Sequence, residues 1–357
     1  MAVIDQLFNE AFYLESYPDV AAAVASWQIP DGRSHFLASG IQEGRTLISR
    51  FYRGDVEARY LGANPDVAAV VASGGLASGL QHFLGSGEAE GRSLFSDGFD
   101  EEWYRRRYPD VAEAIAQGAF TSGLEHYIGF GRGETRSVSS LFELDYFDTY
   151  PDVKAARDAG GIYLSAADHY SVTGNFEGRQ ATFSGTDGDD TVVGGAAIDT
   201  LTGVQLDVVD SCFIGRVRVD GPCLEYDSFG LNEQDVLIGG VGLDRFRLGI
   251  AQPVPLGFRS FYQGNGDVDF ARIVDFEPGR DALILATRNG PADVIAQGTE
   301  FETTPEGIRV YAINDLNANV PGFPLTRDLI AIVEGITIPS DIINSTVFLA
   351  PADVFMG

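Results

Sequence analysis

The stretch HFLGSGEAEGR, residues 82–92, occurs four times in related form and decides how the first half of the chain is organised. Each copy starts seventeen or eighteen residues after the proline of a Pro-Asp-Val tripeptide, at Pro18, Pro65, Pro109 and Pro151. The chain's four histidines open the copies: His35, His82, His126 and His169. An arginine closes each copy, at Arg45, Arg92, Arg136 and Arg179. This periodicity predicts tandem structural repeats, at about 8–50, 51–97, 98–140 and 141–180.

Each repeat has the sequence pattern of short helices. The residue before proline is pushed out of the α region, so one helix ends there, and proline then suits the first position of the next. Asn64 precedes the proline of the second copy and is a good N-cap residue, whereas the other copies have Tyr17, Tyr108 and Tyr150. Because no unit of this size buries its apolar face alone, we expect the four to stack into a helical array over residues 1–182.

The repeated histidines have a functional and a structural interpretation. Equivalent positions in a stacked array lie on the order of 10 Å apart, too far for four histidines to share one metal ion. The sequence also has no His-Glu-x-x-His motif. The structural interpretation is therefore favoured, in which each histidine packs inside its repeat and bonds to a carbonyl or carboxylate oxygen.

The repeated arginines likewise allow two interpretations. One is a ladder of guanidinium groups that binds acidic ligands. The other, which we favour, is a structural tie from each arginine to a helix C-terminus or to the Pro-Asp-Val aspartate of a neighbouring repeat.

The repeats resemble a known tandem unit, F-D-x-x-Y-Y-L-x-x-N-P-D-V-A followed by H-Y-x-x-x-G-x-x-E-G-R. Units of this kind are found on bacterial surface and secreted RTX proteins and beside some glycosyltransferases. The resemblance covers roughly residues 8–180 and implies no activity for the repeat itself.

The sequence changes character after residue 182. GTDGDDTVVGGAAIDTLTG, residues 185–203, and DVLIGGVGLDRFRLG, residues 235–249, follow the G-G-x-G-x-D-x-U-x pattern of calcium-binding turns. Glycines permit tight turns that direct carbonyls at an ion, and aspartate supplies hard carboxylate oxygens. The candidate ligand and turn residues are Asp190, Asp199, Asp235, Asp244, Gly185, Asp187, Gly194, Gly195, Gly239, Gly240 and Gly242. The alternative is a glycine-rich loop domain without metal.

The spacing of the aspartates predicts how the turns stack. Asp190 and Asp199 are nine residues apart, as are Asp235 and Asp244, with an insertion at 204–234. We expect Asp190 to face Asp235 at one edge and Asp199 to face Asp244 at the other, which allows at most two calcium sites. Ala197 stands where the pattern has glycine, which weakens the second site.

The same region resembles the C-terminal RTX module of cyanobacterial calcium-binding exoproteins. The resemblance rests on DTLTG, DVLIGGVGLDRFRLG, FARIVDFEPGRDALIL and RDLIAIVEGI and covers about 183–350. It implies a parallel β-roll at 183–249, a β-rich cap at 250–357 and type I secretion through an uncleaved C-terminal signal. The acidic, basic-poor start MAVIDQLFNEAF fits this, because it does not have the pattern of a cleaved signal peptide.

The composition limits the classes of partner. There are 52 Asp and Glu residues against 24 Lys and Arg, a net charge of −28, so we expect no nucleic-acid partner. No apolar run approaches the ~18 residues of a membrane span. Surplus carboxylates suit calcium.

The two cysteines, Cys212 and Cys223, lie in the insertion. They are expected to form a disulfide if the protein matures outside the cell, and to be two free thiols if it stays in the cytosol.

The sequence thus predicts an α-then-β multidomain protein with an all-α array of four repeats followed by a short parallel β-roll and its cap. The leading functional prediction is a non-enzymatic, extracellular or cell-surface protein that binds calcium and presents the repeats to a protein or glycan partner. A hydrolase acting outside the cell and an intracellular helical scaffold remain alternatives.

Overall fold

A computed structural model describes residues 4, 7–49, 52, 54–92, 94, 99–159, 163–214, 217–226, 229–251, 258–286, 298–314 and 326–349. It divides into two compact units, Met1–Thr173 and Gly174–Gly357. The division falls before the boundary expected after residue 182. One reason is that the backbone N–H of Ala196 donates to Oδ1 of Asn175 at 2.6 Å, which ties the segment after residue 173 to the second unit.

The first unit is helical and repeats one element order four times. The first repeat has α1 (Glu10–Ser16), α2 (Pro18–Ala25), α3 (Gly32–His35) and a π-helical turn (Phe36–Gly40). The second has α4 (Gly54–Ala63), α5 (Pro65–Ala72), α6 (Gly79–His82) and a π turn (Phe83–Gly87). The third has α7 (Glu101–Arg107), α8 (Pro109–Ala116), α9 (Gly123–His126) and a π turn (Tyr127–Gly131). The fourth has α10 (Glu143–Thr149), α11 (Pro151–Asp158), α12 (Ala166–His169) and a π turn (Tyr170–Gly174).

The helix break before each proline is present, but Asn64 does not cap α5 with its side chain. Its Nδ2 donates to the carbonyl of Tyr60 at 2.8 Å, and its Oδ1 accepts from Nη1 of Arg92 at 2.9 Å. At the equivalent positions the hydroxyls of Tyr17 and Tyr108 accept a backbone N–H from the end of the same repeat. The expected N-cap role of Asn64 is therefore wrong, because the residue closes its repeat instead.

A buried tyrosine organises each repeat around its histidine. Tyr13, Tyr60, Tyr104 and Tyr146 are at most 1% exposed. Each hydroxyl lies 2.9 to 3.0 Å from Nδ1 of the histidine in the same repeat. The histidine partner is thus a phenol rather than the carbonyl or carboxylate oxygen that we expected. In the first two repeats Nε2 faces Glu43 and Glu90 at 3.9 and 3.8 Å, which suits the tautomer that accepts the tyrosine proton at Nδ1.

A glutamate three positions before this tyrosine holds the one-turn helix that carries the histidine. Carboxylates of Glu10, Glu57 and Glu101 each accept the first two backbone N–H groups of α3, α6 and α9, at 2.6 to 3.2 Å. The unpaired N–H groups of a helix start favour a carboxylate at this place. The glutamate and the tyrosine therefore fix the histidine helix from both ends.

The glycine that closes each π turn leaves room for the buried tyrosine. A Cβ atom added to Gly87 would lie 2.6 Å from the hydroxyl of Tyr60, and Gly40 and Gly131 have the same relation to Tyr13 and Tyr104. Gly85, in the same turn as Gly87, faces open space.

This pair of glycines gives a matched test. Gly87→Ala is expected to lower the free energy of unfolding by about 1–3 kcal/mol, because the new methyl group displaces the tyrosine hydroxyl from His82. Gly85→Ala is expected to leave it unchanged or raise it by up to about 1 kcal/mol. Chemical denaturation of the two variants measures the difference, and equal effects would contradict this packing.

The repeated arginines are ties within a repeat. Arg45, Arg92 and Arg136 bind both oxygens of Asp19, Asp66 and Asp110 at 2.6 to 3.1 Å. Nε of each, and of Arg179, donates to the glutamate two residues before it. These aspartates belong to the arginine's own repeat, so the expected link to a neighbouring repeat is wrong for these three. The Pro-Asp-Val helix packs over the closing turn of its own unit.

Thr135 is the one strained position in this closing turn. Its φ is 57°, and glycine occupies the equivalent places at Gly44, Gly91 and Gly178, with φ of 69 to 74°. A β-branched residue is disfavoured in this left-handed region.

Thr135→Gly is therefore expected to raise the free energy of unfolding by about 1 kcal/mol. Gly91→Thr, the reverse exchange in the second repeat, is expected to lower it by at least as much. Thermal or urea unfolding compares the two, and a stabilising Gly91→Thr variant would contradict the strain.

Contacts between repeats are not limited to repeats that are neighbours in sequence. Thr121 donates to Glu88 between the third and second repeats, and Arg132 donates to the carbonyl of Arg157 between the third and fourth. Arg59 of the second repeat also pairs with Asp168 of the fourth at 3.1 Å. The array is therefore closed more tightly than a stack in which each unit meets only its sequence neighbours.

The second unit is built from strands that alternate between two sheets. The strands are β1 (Ala181–Gly185), β2 (Thr191–Val193), β3 (Asp199–Ile214), β4 (Val217–Tyr226), β5 (Gln234–Ile238), β6 (Arg245–Arg247), β7 (Gly249–Ala251), β8 (Phe258–Ser260), β9 (Phe270–Ile273), β10 (Ala282–Ala286), β11 (Thr299–Thr303), β12 (Gly307–Asn314), β13 (Thr326–Glu334) and β14 (Thr346–Leu349). A helix, α13 (Pro339–Ile343), precedes β14.

One sheet has the order β1-β3-β6-β10-β14, and these strands are parallel. The other contains β2-β5-β9-β13, also parallel, extended by antiparallel β12 and β11. Buried apolar side chains of both sheets, among them Phe246, Leu283 and Val333, form the core. The chain is thus an α unit followed by a β unit rich in parallel strands.

The expectation of a separate cap needs correction. The strands after residue 250 do not form a separate cap, because β9, β10, β13 and β14 continue the same two sheets. The insertion at 204–234 is largely a hairpin, in which β3 runs on past the sheet and pairs with antiparallel β4. The predicted C-terminal secretion signal lies largely outside the described residues, which end at 349.

Candidate metal centre

The alternation of strands creates two edges along which turns are stacked. We call them the Asp235 edge, where β2, β5 and β9 begin, and the Asp244 edge, where β3, β6 and β10 begin. Strand pairing places Thr191 beside Val236 and Thr200 beside Arg245. The expected pairs of aspartates therefore lie in register, one at each edge.

At the Asp244 edge three aspartates form a buried column. Asp199, Asp244 and Asp281 are 0%, 1% and 5% exposed. The backbone N–H of Asp199 donates to Oδ1 of Asp244 at 3.0 Å, and that of Asp244 donates to Oδ1 of Asp281 at 3.0 Å. The carboxylates of Asp244 and Asp281 are thus each bound by the backbone N–H of the preceding aspartate in the column.

The second oxygen of Asp244 differs from those of its neighbours. Oδ2 of Asp199 accepts the N–H of Gly195 at 2.8 Å, and Oδ2 of Asp281 accepts that of Glu277 at 2.8 Å. Oδ2 of Asp244 is buried and has no hydrogen-bond partner among the described residues. Among the described residues no ion pair joins a lysine or arginine to Asp244. A buried carboxylate oxygen without a partner is costly, so its position favours a bound cation.

The electrostatics of the column follow from its burial. The pKa of Asp244 is raised to about 7, mainly by burial and to a smaller extent by the nearby carboxylates of Asp199, Asp281 and Asp275. Burial likewise raises the pKa of Asp281. Positive charge among these groups would restore their ionised forms.

The glycines of the motif keep the stacked turns close. A Cβ atom on Gly240 or Gly242 would overlap the carbonyl oxygen of Gly195 or Ala197 in the turn below. A Cβ on Gly194 would lie 2.5 Å from the carbonyl oxygen of Gly239, and one on Gly239 would lie 2.7 Å from Oδ2 of Asp244. Turn carbonyls and carboxylates, the oxygen ligands that calcium accepts, therefore line the same edge.

Two residues of this edge were missed by the sequence analysis. Asp281 continues the column, and the carboxylate of Asp275 accepts the N–H groups of Gly239 and Gly240 at 2.9 and 2.8 Å. A signal for the first was present. The run GRDALI, residues 279–284, keeps the G-x-D-x-U-x half of the pattern although its first glycines are replaced.

At the Asp235 edge the carboxylates have different hydrogen-bond partners. The N–H of Asp190 donates to Oδ1 of Asp235 at 2.8 Å, as the register requires. Oδ2 of Asp235, however, accepts the hydroxyl of Tyr262 at 2.6 Å. Oδ2 of Asp190 accepts the N–H and the hydroxyl of Thr186. A Cβ on Gly185 would overlap the carbonyl oxygen of Gly203.

Four other acidic residues lie at this edge: Asp187, Asp189, Glu233 and Asp269. Asp187 and Asp189 are exposed in the turn before Asp190. Glu233 and Asp269 are 7% and 0% exposed, and among the described residues neither Oε2 of Glu233 nor Oδ1 of Asp269 has a hydrogen-bond partner. Burial raises the pKa of Glu233 to about 8.

The described side chains do not include a ready-made cluster of three or more His, Cys, Asp or Glu for a metal ion. The candidate centre is therefore a column of carboxylates joined by backbone hydrogen bonds, and binding would require side chains such as Asp199 and Asp281 to turn. In the helical unit each histidine is bonded to the tyrosine of its own repeat.

The cysteines lie on the hairpin of the insertion. The register places Cys212 opposite Val219 and Cys223 opposite Val209. Their side chains lie outside the described part of the structure, so the disulfide stays a prediction. A disulfide requires Cα atoms within about 7 Å, so the hairpin register would have to shift for it to form.

Comparison with known proteins adds little to this picture. No protein-family model matches the chain, and no curated protein matches it either. Among solved structures the chain is similar to the AlgE6R3 subunit of the Azotobacter vinelandii mannuronan C5-epimerase. The identity is 18%, the match covers 46% of this chain and 76% of that one, and the TM-score is 0.14. A similarity this low carries no argument. No helix among the described residues is long and apolar enough to cross a membrane.

Proposed function

We propose that this is a non-enzymatic, calcium-binding protein in which the second unit is an RTX-type parallel β-roll that calcium stabilises. The observation that carries the proposal is the buried column at the Asp244 edge, whose central carboxylate has an oxygen with no partner in the described part of the chain. Strands that alternate between two parallel sheets, with glycine-rich turns stacked at the edges, agree with such a roll.

The chemistry of the donors favours calcium. The edge offers carboxylates and backbone carbonyls, which are hard oxygen ligands, and its turns are irregular. Calcium accepts six to eight such oxygens in flexible geometry, whereas magnesium demands a near-ideal octahedron. Zinc is served better by histidine and cysteine. Asp199, Asp244 and Asp281 would hold the ion, which would supply the positive charge that the buried column lacks.

The rest of the proposal concerns the setting in which the protein acts. The helical repeats are the surface offered to a protein or glycan partner, and the protein is exported to the cell surface or the medium. One support is the resemblance of the repeats to those of surface proteins. The other is that weak calcium sites fill only at the millimolar calcium concentrations in which extracellular modules work. Assay of the spent medium against the cell lysate tests the location.

Calcium titration tests the binding. Millimolar calcium over a site with Kd of ~0.1 mM adds about 1.4 kcal/mol to the free energy of unfolding. Asp244→Asn is expected to remove this gain. Glu300→Gln, on the antiparallel β11, removes the same charge from an exposed position and is expected to keep it. An equal gain in wild type and Asp244→Asn would refute the assignment.

A further inference from the structure

At the matching aspartates of the two edges, the difference lies in one partner, the hydroxyl of Tyr262. Asp235 and Asp244 occupy the same rung of the two sheets, and both are buried, at 0% and 1% exposure. Each accepts the N–H of the aspartate below it through Oδ1, at 2.8 and 3.0 Å. Their Oδ2 atoms differ. The hydroxyl of Tyr262 donates to Oδ2 of Asp235, whereas Oδ2 of Asp244 has no partner within the residues that the structure describes.

The backbone of Tyr262 is in a strained conformation. Its φ is 55°, in the left-handed region that bulky residues avoid, and its side chain is completely buried. Its backbone N–H donates to the carbonyl of Phe229 at 2.7 Å. Strain of this kind persists only where the surroundings over-determine it.

Two glycines make the space for this phenol. A Cβ atom on Gly203 would overlap both Oδ2 of Asp235 and the hydroxyl of Tyr262. A Cβ on Gly230, whose φ is 74°, would overlap the ring. Gly203 and Gly230 lie towards the two ends of the insertion, so the insertion and the segment after β8 together seat the phenol on Asp235.

We propose that the Tyr262 hydroxyl takes the place of a cation at Asp235, so that Asp235 is not a calcium ligand. A hydrogen bond from a buried phenol satisfies the carboxylate oxygen that would otherwise need a metal ion. Asp235 then needs no calcium ion to satisfy its second oxygen, whereas Asp244 does. This inference rests on the proposed function of the β unit and removes Asp235 from the predicted calcium ligands.

The test is a calorimetric titration of the full-length chain with calcium chloride. Asp235→Asn is expected to bind as many calcium ions as wild type, since an asparagine amide can bond with the same tyrosine. Tyr262→Phe is expected to bind one more ion, because it frees the second oxygen of Asp235. The double variant Tyr262→Phe/Asp235→Asn is expected to return to the wild-type number.

Two results would overturn the inference. One is loss of a calcium ion in Asp235→Asn, and the other is an unchanged number in a folded Tyr262→Phe. If Tyr262→Phe unfolds in chelator, its melting temperature is measured with added calcium. A calcium site freed at Asp235 predicts that calcium restores the melting temperature, whereas a purely structural role of the tyrosine predicts that it does not.

Asp244→Asn separates this inference from the proposed function. It is expected to weaken calcium binding by at least about tenfold. A wild-type chain that binds no calcium refutes the proposed function, whereas calcium binding that Asp235→Asn reduces refutes only the role of Tyr262.

Discussion

Replacing Tyr104 by alanine is expected to lower the free energy of unfolding of the helical unit by about 3–5 kcal/mol. The ring is completely buried and contacts the rings of Phe99, Tyr108 and Tyr127 at centroid distances of 4.8 to 6.0 Å. The truncation leaves a cavity in the centre of the third repeat and removes the partner of His126.

Tyr104→Phe isolates the hydroxyl group. It keeps the ring and leaves Nδ1 of His126 without its partner, at a cost of about 1–2 kcal/mol. Urea unfolding followed by circular dichroism measures both variants. Equal costs for alanine and phenylalanine, or an alanine cost near zero, would show that the tyrosine does not organise its repeat as described.

The second large effect concerns pH. In calcium-free buffer the free energy of unfolding of the β unit is expected to fall as the pH rises from about 4 to about 8. Burial raises the pKa of Asp235 and Asp244 to about 7 and that of Glu233 to about 8. In the unfolded chain these groups titrate near 4, so over this window the native state holds protons that the unfolded state has lost.

The slope has a limit of about 1.4 kcal/mol per pH unit for each such group. Calcium binds ionised carboxylates, so its stabilising effect is expected to grow with pH over the same window and to be smallest at its acid end. Thermal unfolding at several pH values, with calcium and with chelator, tests both trends. Stability that rises with pH in chelator would contradict the raised pKa values.

Part of this architecture could be predicted from the sequence because it is encoded by spacing. The recurrence of Pro-Asp-Val and histidine defined four repeats with matching elements. The nine-residue interval between Asp190 and Asp199, repeated at Asp235 and Asp244, specified the register that the strands adopt. Spacing of this kind predicts structure because the same backbone geometry recurs in each repeat or turn.

Other features depend on contacts between segments that no short pattern contains. The tyrosine partner of each histidine lies 22 or 23 residues before it, and its role follows from packing inside the repeat. Asp281 lies in a turn that has lost half of the motif. Tyr262 reaches Asp235 from a segment 27 residues further along, in a backbone conformation that its residue type disfavours.

The insertion at 204–234 shows the same limit. Its length was evident from the spacing of the turns, but its conformation was not. The structure extends β3 and pairs it with β4 in a hairpin. Alternating β-branched residues such as Val208, Val217 and Val219 favour strands and are the sequence signal for this hairpin.

Hydrogen–deuterium exchange of the full-length chain, with calcium and with chelator, tests the central claim most directly, because it locates the effect of the ion along the sequence. The account predicts slower exchange in calcium at residues 194–199, 239–244 and 275–281, with no change in the helical repeats. Protection confined to residues 186–190 and 233–235, or none in the β unit, would contradict it.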